Sequence, residues 1–273
     1  MHALSDTTYR KIAGLMYDSI GLSFNDSKKA LVASRLAQRI QRLDIDGFDA
    51  YFSLISGHHD EGEFQVAVDL LTTNETYFFR EPQHFELLER ELTQKRPLSL
   101  SVWSAASSFG DEAYSIAMLL ADLQLQGRLG EHWSILGTDI SDRVLRSASE
   151  ATFPQERLRH VSPQRLKRYC LRGDGDFEGL VKLQPRITER VRFGQLNLCR
   201  PIEAIGPFDV VFLRNVLIYF DEQTKRQVVD HVLTQLRVGG LFFIGTAEGR
   251  VHSDAPLQPL APGVFRKLEQ GAR

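Results

Sequence analysis

Val102-Trp103-Ser104-Ala105-Ala106-Ser107-Ser108-Phe109-Gly110-Asp111-Glu112 is the stretch on which the fold turns. Residues 98–102 have a strand pattern, 104–110 form a loop of mostly small side chains, and 112–123 have helical spacing. A strand feeding a small-residue loop and then a helix lets a ligand approach the backbone closely, at a helix end that attracts anionic groups. The loop is not Gly-x-Gly-x-x-Gly and has no Gly-Lys-Ser/Thr, so a phosphate-bearing cofactor is disfavoured. Its acidic end suits a cofactor with an amino group. A plain strand-to-helix turn is the alternative that these residues leave open.

Downstream the alternation continues. Strands are expected at 134–138, 208–213, 241–245 and 264–268, and helices at 142–150 and 222–236, the latter ended by Gly239-Gly240. Such alternation means an α/β sheet of mostly parallel strands. Residues 170–194 interrupt it. They read as an antiparallel hairpin insert with a turn at Gln184-Pro185-Arg186.

Upstream the pattern is helical. Tyr9, Ile12, Leu15, Met16 and Ile20 share a face that Gly21 ends, and Leu31, Val32, Leu36, Ile40 and Leu43 share a second, with Asp26 or Ser27 as its cap. Shorter helices follow around Phe48–Ile55 and Phe64–Leu71. The expected fold class is therefore α/β. A small all-α domain over 1–75 precedes a Rossmann-like domain over 76–273 that carries the insert at 170–194.

Asp139, ending the second strand, is placed to accept hydrogen bonds from both ribose hydroxyls of an adenosine-containing cofactor. Asp139, Ser141 or Asp142 could equally cap the next helix. Together, the small-residue loop and Asp139 favour S-adenosylmethionine over a dinucleotide, by elimination. Two further stretches are poor core material. Thr72-Thr73-Asn74-Glu75-Thr76-Tyr77-Phe78-Phe79-Arg80-Glu81 joins the two regions, and Arg80 there can pair with a carboxylate. Phe212-Leu213-Arg214-Asn215-Val216-Leu217-Ile218-Tyr219-Phe220 ends a buried strand abruptly in Arg-Asn.

With these four stretches in order, the chain resembles the CheR family of chemotaxis-receptor glutamate methyltransferases over nearly its whole length. The resemblance implies an S-adenosylmethionine site, with S-adenosylhomocysteine as product. Asn74, Thr76 and Arg80 match positions at the methyl-donor end. Glu112 matches an acidic residue near the methionine part, and Asp139 the ribose carboxylate. Asn197 and Leu198 match positions around adenine. Arg214 and Asn215 match the strand-end pair, and Tyr219 a tyrosine near the transferring methyl. Arg80 and Tyr219 are the expected catalytic pair. The family loop usually reads Ser-Thr-Gly-Glu-Glu-Pro-Tyr. Here Phe109, Asp111 and Ala113 depart from it while Glu112 is kept, and the bulk of Phe109 is expected to bear on cofactor affinity.

The acceptor implied is a glutamate on acidic cytoplasmic receptor helices. Lys28, Lys29, Arg35, Arg39 and Arg42 face a single acid, Asp26, over residues 19–43, and Arg35, Arg39 and Arg42 fall on one helix face. A solvated face is the bland reading. Beside the resemblance, Lys28, Arg35, Arg39 and Arg42 become docking residues. The insert matches the family's small β-subdomain, which in some members binds a receptor C-terminal pentapeptide by strand addition. The rivals are a methyltransferase with another acceptor and a non-catalytic adapter that binds S-adenosylmethionine.

Composition narrows the rest. The 273 residues include 33 Lys+Arg and 35 Asp+Glu, giving a net charge of −2. That excludes a general polyanion binder, and no nucleic acid is expected as partner. A 42% hydrophobic content supports a real core. Cys170 and Cys199 form no metal or disulfide pattern, so no metal and a reducing compartment are expected. His58-His59 reads as a solvated turn. Residues 1–6 lack the pattern of a leader, and no apolar tract is long enough to span a bilayer. A cytoplasmic monomer is expected, meeting the membrane only through its receptor.

Overall fold

The computed structural model describes residues 3–57, 61–249 and 251–271, with the side chain of Glu61 set aside. The His58-His59 turn lies outside these. Four helices come first: α1 (Asp6–Ile20), α2 (Lys29–Arg42), α3 (Gly47–Ser56) and α4 (Glu61–Leu71). Ser5 caps α1 by accepting from Thr8 N at 3.1 Å. Gly21 ends it in the left-handed region at φ 72°, where a Cβ would stand 2.5 Å from Cys199 Sγ. Only glycine can both turn the chain there and let α1 close on the second domain. Ile12, Met16, Val32, Leu36, Ile40, Tyr51 and Ile55 are buried in a common core. Neither Asp26 nor Ser27 caps α2. A 3-10 turn over Asp26–Lys28 runs directly into it, after Asn25.

A fifth helix, α5 (Pro82–Lys95), occupies the stretch that reads in sequence only as a change of pattern. Proline supplies its first turn, and Phe85, Leu88 and Leu92 bury one face against the sheet. The remaining elements are β1 (Ser99–Ser104), α6 (Asp111–Leu125), β2 (His132–Asp139), α7 (Asp142–Glu150), β3 (Thr152–Pro154), α8 (Pro163–Tyr169), β4 (Cys170–Arg172), β5 (Leu180–Leu183), α9 (Pro185–Thr188), β6 (Val191–Gln195), β7 (Phe208–Leu213), α10 (Glu222–Thr234), β8 (Leu236–Ile244), β9 (Leu257–Ala261) and β10 (Val264–Lys267).

The main sheet has the order β6-β2-β1-β7-β8-β10-β9. It is parallel from β6 to β8, and β10 and β9 are antiparallel additions. The order reverses direction between β1 and β7, and a crevice opens at such a switch point. The sheet is covered on both faces. Phe212 and Phe243 stack at 4.3 Å on the α5–α6 side, and Trp103, Val211 and Phe242 pack with Val228 and Val232 of α10 on the other.

Two expectations are corrected. The segment 184–194 does not pair with 180–183 as a hairpin. Instead β5 sits between β3 and β4 in a separate antiparallel sheet, whereas β6 returns to the main sheet beside β2. The insert's strands therefore span 152–183. The physical reason is Pro185, which opens a short helix that redirects the chain. Likewise Gly239-Gly240 does not end α10, which stops at Thr234. The glycines lie inside β8 at a register shift, Gly239 at a φ of 79° and Gly240 where a Cβ would stand 2.6 Å from Leu236 Cδ1.

Candidate functional site

The ends of β1, β2 and β7, the segment 72–80 and the end of α1 surround one cleft of about 260 Å³. Asn74, Thr76, Arg80, Glu112, Asp139, Asn197, Leu198, Arg214, Asn215 and Tyr219 all line it. Lys28, Arg35, Arg39 and Arg42 do not; they lie on or just before α2.

The loop after β1 is pinned by its backbone. Ala105 N donates to Phe212 O at 2.8 Å and Ser107 N to Thr138 O at 2.8 Å, tying β1 to both neighbouring strands. Ser108, at φ 50°, presents its N–H to Asp139 Oδ2 at 2.9 Å, and Ser141 N donates to Oδ1 at 3.0 Å. Burial raises the Asp139 carboxyl pKa, and these N–H groups oppose the rise. The capping question is settled: Ser141 Oγ accepts from Val144 N and caps α7. Asp139 itself lines the cleft.

Glu112, in the first turn of α6, accepts from Ser104 Oγ at 2.7 Å and from Arg214 Nη1 at 3.0 Å. Its pKa is raised by burial and held back by Arg214. The Arg214 side chain is 1% exposed, which makes its pairing obligatory. It also donates to Arg80 O at 2.5 Å and lies 3.6 Å from Glu81. Asn215, at φ 60°, donates to Glu81 Oε1 at 3.2 Å, and Thr246 N donates to Glu81 Oε2 at 3.0 Å. Burial works against the Glu81 carboxylate, but Arg214 and these donors win and lower its pKa.

Glu81 is the hub of these contacts, and its place in the sequence does not mark it out. Its φ of 57° and those of Phe79 and Asn215 place three non-glycine residues in the left-handed region around one ion-pair hub. Nothing in a single sequence signals that. Ser107 was missed too; its Oγ is buried, lines the cleft and has no hydrogen-bond partner among the described residues.

Other expected residues are held by their neighbours. Asn74 O accepts from Ser108 Oγ at 3.1 Å, and its amide donates to Thr72 Oγ1 at 3.2 Å. Arg80 Nη1 donates to Glu75 O at 3.0 Å, and its guanidinium lies 5.9 Å from the Tyr77 ring centre. Burial raises the pKa of the Tyr219 hydroxyl, and Arg80 and Arg35 offset part of that. Both ends of the Asn197 amide have protein partners: Nδ2 donates to Ser19 O at 2.8 Å and Oδ1 accepts from Cys199 N at 3.0 Å. Phe109 is not on the cleft wall. It lies between Arg157, 4.7 Å from its ring centre, and Arg143, at 5.5 Å, while Arg157 also pairs with Asp111. Two of the three departures from the family loop, Phe109 and Asp111, thus share one arginine behind the site.

The docking candidates divide. Lys28 and Arg42 are exposed. Arg39 pairs with Glu63, which is 4% exposed and also accepts from Tyr51 OH at 2.9 Å. Arg35 donates to Leu71 O at 2.7 Å, Thr72 O at 3.1 Å and Thr73 Oγ1 at 2.9 Å, so it closes the end of α4 and holds the cleft rim.

This sheet, with a strand-end cleft whose buried carboxylate is ringed by backbone donors rather than phosphate-binding glycines, defines an S-adenosylmethionine-dependent methyltransferase. The Asp139 carboxylate, without a cationic partner among the described residues, fits hydroxyl donors of a ribose. Residues 7–72 match the model of the CheR methyltransferase all-alpha domain, and residues 74–260 that of the CheR methyltransferase SAM binding domain. The chain belongs to the CheR methyltransferase family. It is 39% identical to the chemotaxis protein methyltransferase of Escherichia coli strain K12, over 92% of this chain and 87% of that one. It is 36% identical to chemotaxis protein methyltransferase 2 of Pseudomonas aeruginosa, over 94% and 91%. Among the described residues no helix is long and apolar enough to cross a membrane.

Proposed function

We propose that the chain is a cytoplasmic monomer that methylates glutamate side chains on the cytoplasmic helices of chemoreceptors, forming glutamate methyl esters and S-adenosylhomocysteine. The observation that carries this reading is Arg80, which stands at the cleft beside Tyr219 with no carboxylate partner among the described residues. When bound, S-adenosylmethionine supplies an electrophilic methyl on a sulfonium. A glutamate side chain, with a reference pKa of about 4.3, reaches the site ionised and needs no base. Arg80 steers that carboxylate and Tyr219 fixes its geometry, so positioning is the main task of the protein.

Asn74 and Thr76, with Arg80, flank the methyl-donor end. Glu112 takes the methionine end and Asp139 the ribose. Leu198 packs on the adenine, and Asn197 serves it by fixing the 197–199 turn against α1. Arg214 and Asn215 act through Glu112 and Glu81. Lys28 and Arg42 offer the docking charge. A receptor C-terminal pentapeptide would add to β4, which is an edge strand; calorimetry with such a peptide tests that. Transfer of labelled methyl to receptor cytoplasmic fragments tests the main reading. A base-labile ester is expected. A base-stable product would mean another acceptor, and no transfer would mean an adapter.

A further inference from the structure

We propose that Arg159, with His160 beside it, forms a second cationic bank of the acceptor groove and contacts acidic side chains of the receptor helix near the methylated glutamate. The proposal rests on the reading above and extends it to a surface away from α2. The rim segment 72–80 carries Arg80 and is met by arginines from two other elements. Arg35 of α2 binds Thr73 at 2.9 Å, and Arg80 of the rim lies 5.9 Å from the Tyr77 ring centre. Arg159 comes from the loop before α8 and lies 5.4 Å from the same ring, with His160 stacked obliquely at 5.1 Å. Tyr77 lines the cleft, so this pair stands at its mouth.

The neighbouring arginines show why Arg159 is different. Arg157 pairs with Asp111, and Arg165 and Arg168 both pair with Asp122. Arg159 is exposed and has no carboxylate partner among the described residues; its Nε is 3.0 Å from His160 Nε2. Arg35 and Arg80 are likewise without a carboxylate partner there, and Glu75 is the only acid on the rim before Glu81. Unneutralised cations gathered along one cleft edge favour an anionic partner. On a helix, residues three, four and seven apart share a face. A carboxylate one or two turns from the acceptor can then meet Arg159 while the acceptor itself reaches Arg80.

Arg159→Glu in the full chain tests this, with steady-state methylation of a receptor cytoplasmic fragment and calorimetry with S-adenosylhomocysteine. KM for the receptor should rise roughly 5- to 20-fold, with weaker salt dependence, and Arg159→Lys should retain most of the affinity. The dissociation constant for S-adenosylhomocysteine and the melting temperature should stay put. An unchanged receptor KM would overturn the proposal. So would a parallel loss of S-adenosylhomocysteine affinity, since that would mean Arg159 only props Tyr77. If the unsubstituted chain forms no ester on the receptor, the receptor reading itself has failed, which is a distinct result.

Discussion

Arg214 Nη1 lies 3.0 Å from Glu112 Oε2, joining the end of β7 to the first turn of α6 across the cleft floor. The two groups are 1% and 14% exposed at their side chains, so neither can exchange its partner for bulk water. Because the same guanidinium holds Arg80 O and approaches Glu81, it sets the position of the rim as well as of α6. Arg214→Met should lower stability by about 3–5 kcal/mol, the usual effect of leaving a buried charge unpaired. Adding Glu112→Gln should recover part of it. Urea unfolding of each single variant and of the double variant checks the coupling; strictly additive effects would contradict it.

Asp139 should matter for binding as well as for folding. Two backbone N–H groups would lose their acceptor in Asp139→Ala, as would the ribose hydroxyls. Hydrogen bonds to a charged group are worth about 1.5–3 kcal/mol each. The affinity for S-adenosylhomocysteine should fall on the order of 10- to 100-fold, read by calorimetry. Asp139→Asn, which keeps one acceptor oxygen, should fall between.

What could be read from the sequence was the type of element and the polar residues that interrupt it. Asp142–Glu150 and Phe208–Leu213 have the bounds their patterns imply. Arg214, Asn215 and Asp139 stood out because Arg-Asn at a strand end or Asp after a strand makes no sense as core, whereas Asn197 and Leu198 were marked only by the family resemblance. What escaped was set by tertiary partners. Pro82–Lys95 carries its apolar face beside a polar run and was hidden by it. The partners of Arg35 and Asn197 are 36 and 178 residues away. No local pattern distinguishes an arginine that holds a carbonyl from one that faces a receptor.

Asp111 gives the clearest pH signature. Burial pushes its carboxyl from 3.8 to about 6, although Arg157 pulls it down. Between those values the folded protein keeps a proton that the unfolded chain has released. The stability from this group is therefore present below about pH 4 and lost as pH rises through about 6. Asp111→Asn removes the titration. The stability of the unsubstituted protein minus that of the variant should fall between pH 4 and pH 7, by on the order of 2–3 kcal/mol at about 1.4 kcal/mol per unit. Urea unfolding across that range checks it, and a flat difference would refute the assignment.

Charge reversal on α2 should separate docking from folding. In Arg39→Glu a carboxylate would face Glu63, which is 4% exposed and bonded to Tyr51, so two like charges would share a half-buried site. A drop in melting temperature of several degrees is expected, and any change in receptor KM would be uninterpretable without it. Lys28 and Arg42 are exposed and appear in no ion pair among the described residues. Lys28→Glu with Arg42→Glu should therefore leave the melting temperature within about a degree, since surface substitutions usually change stability by less than about 0.5 kcal/mol. The same double variant should raise receptor KM severalfold at low salt and less at high salt, as screened surface charges do. Thermal melts run beside methylation kinetics decide the matter. If KM is unmoved while Arg39→Glu unfolds the helical domain, the basic face of α2 serves the fold, and docking must be sought along the rim.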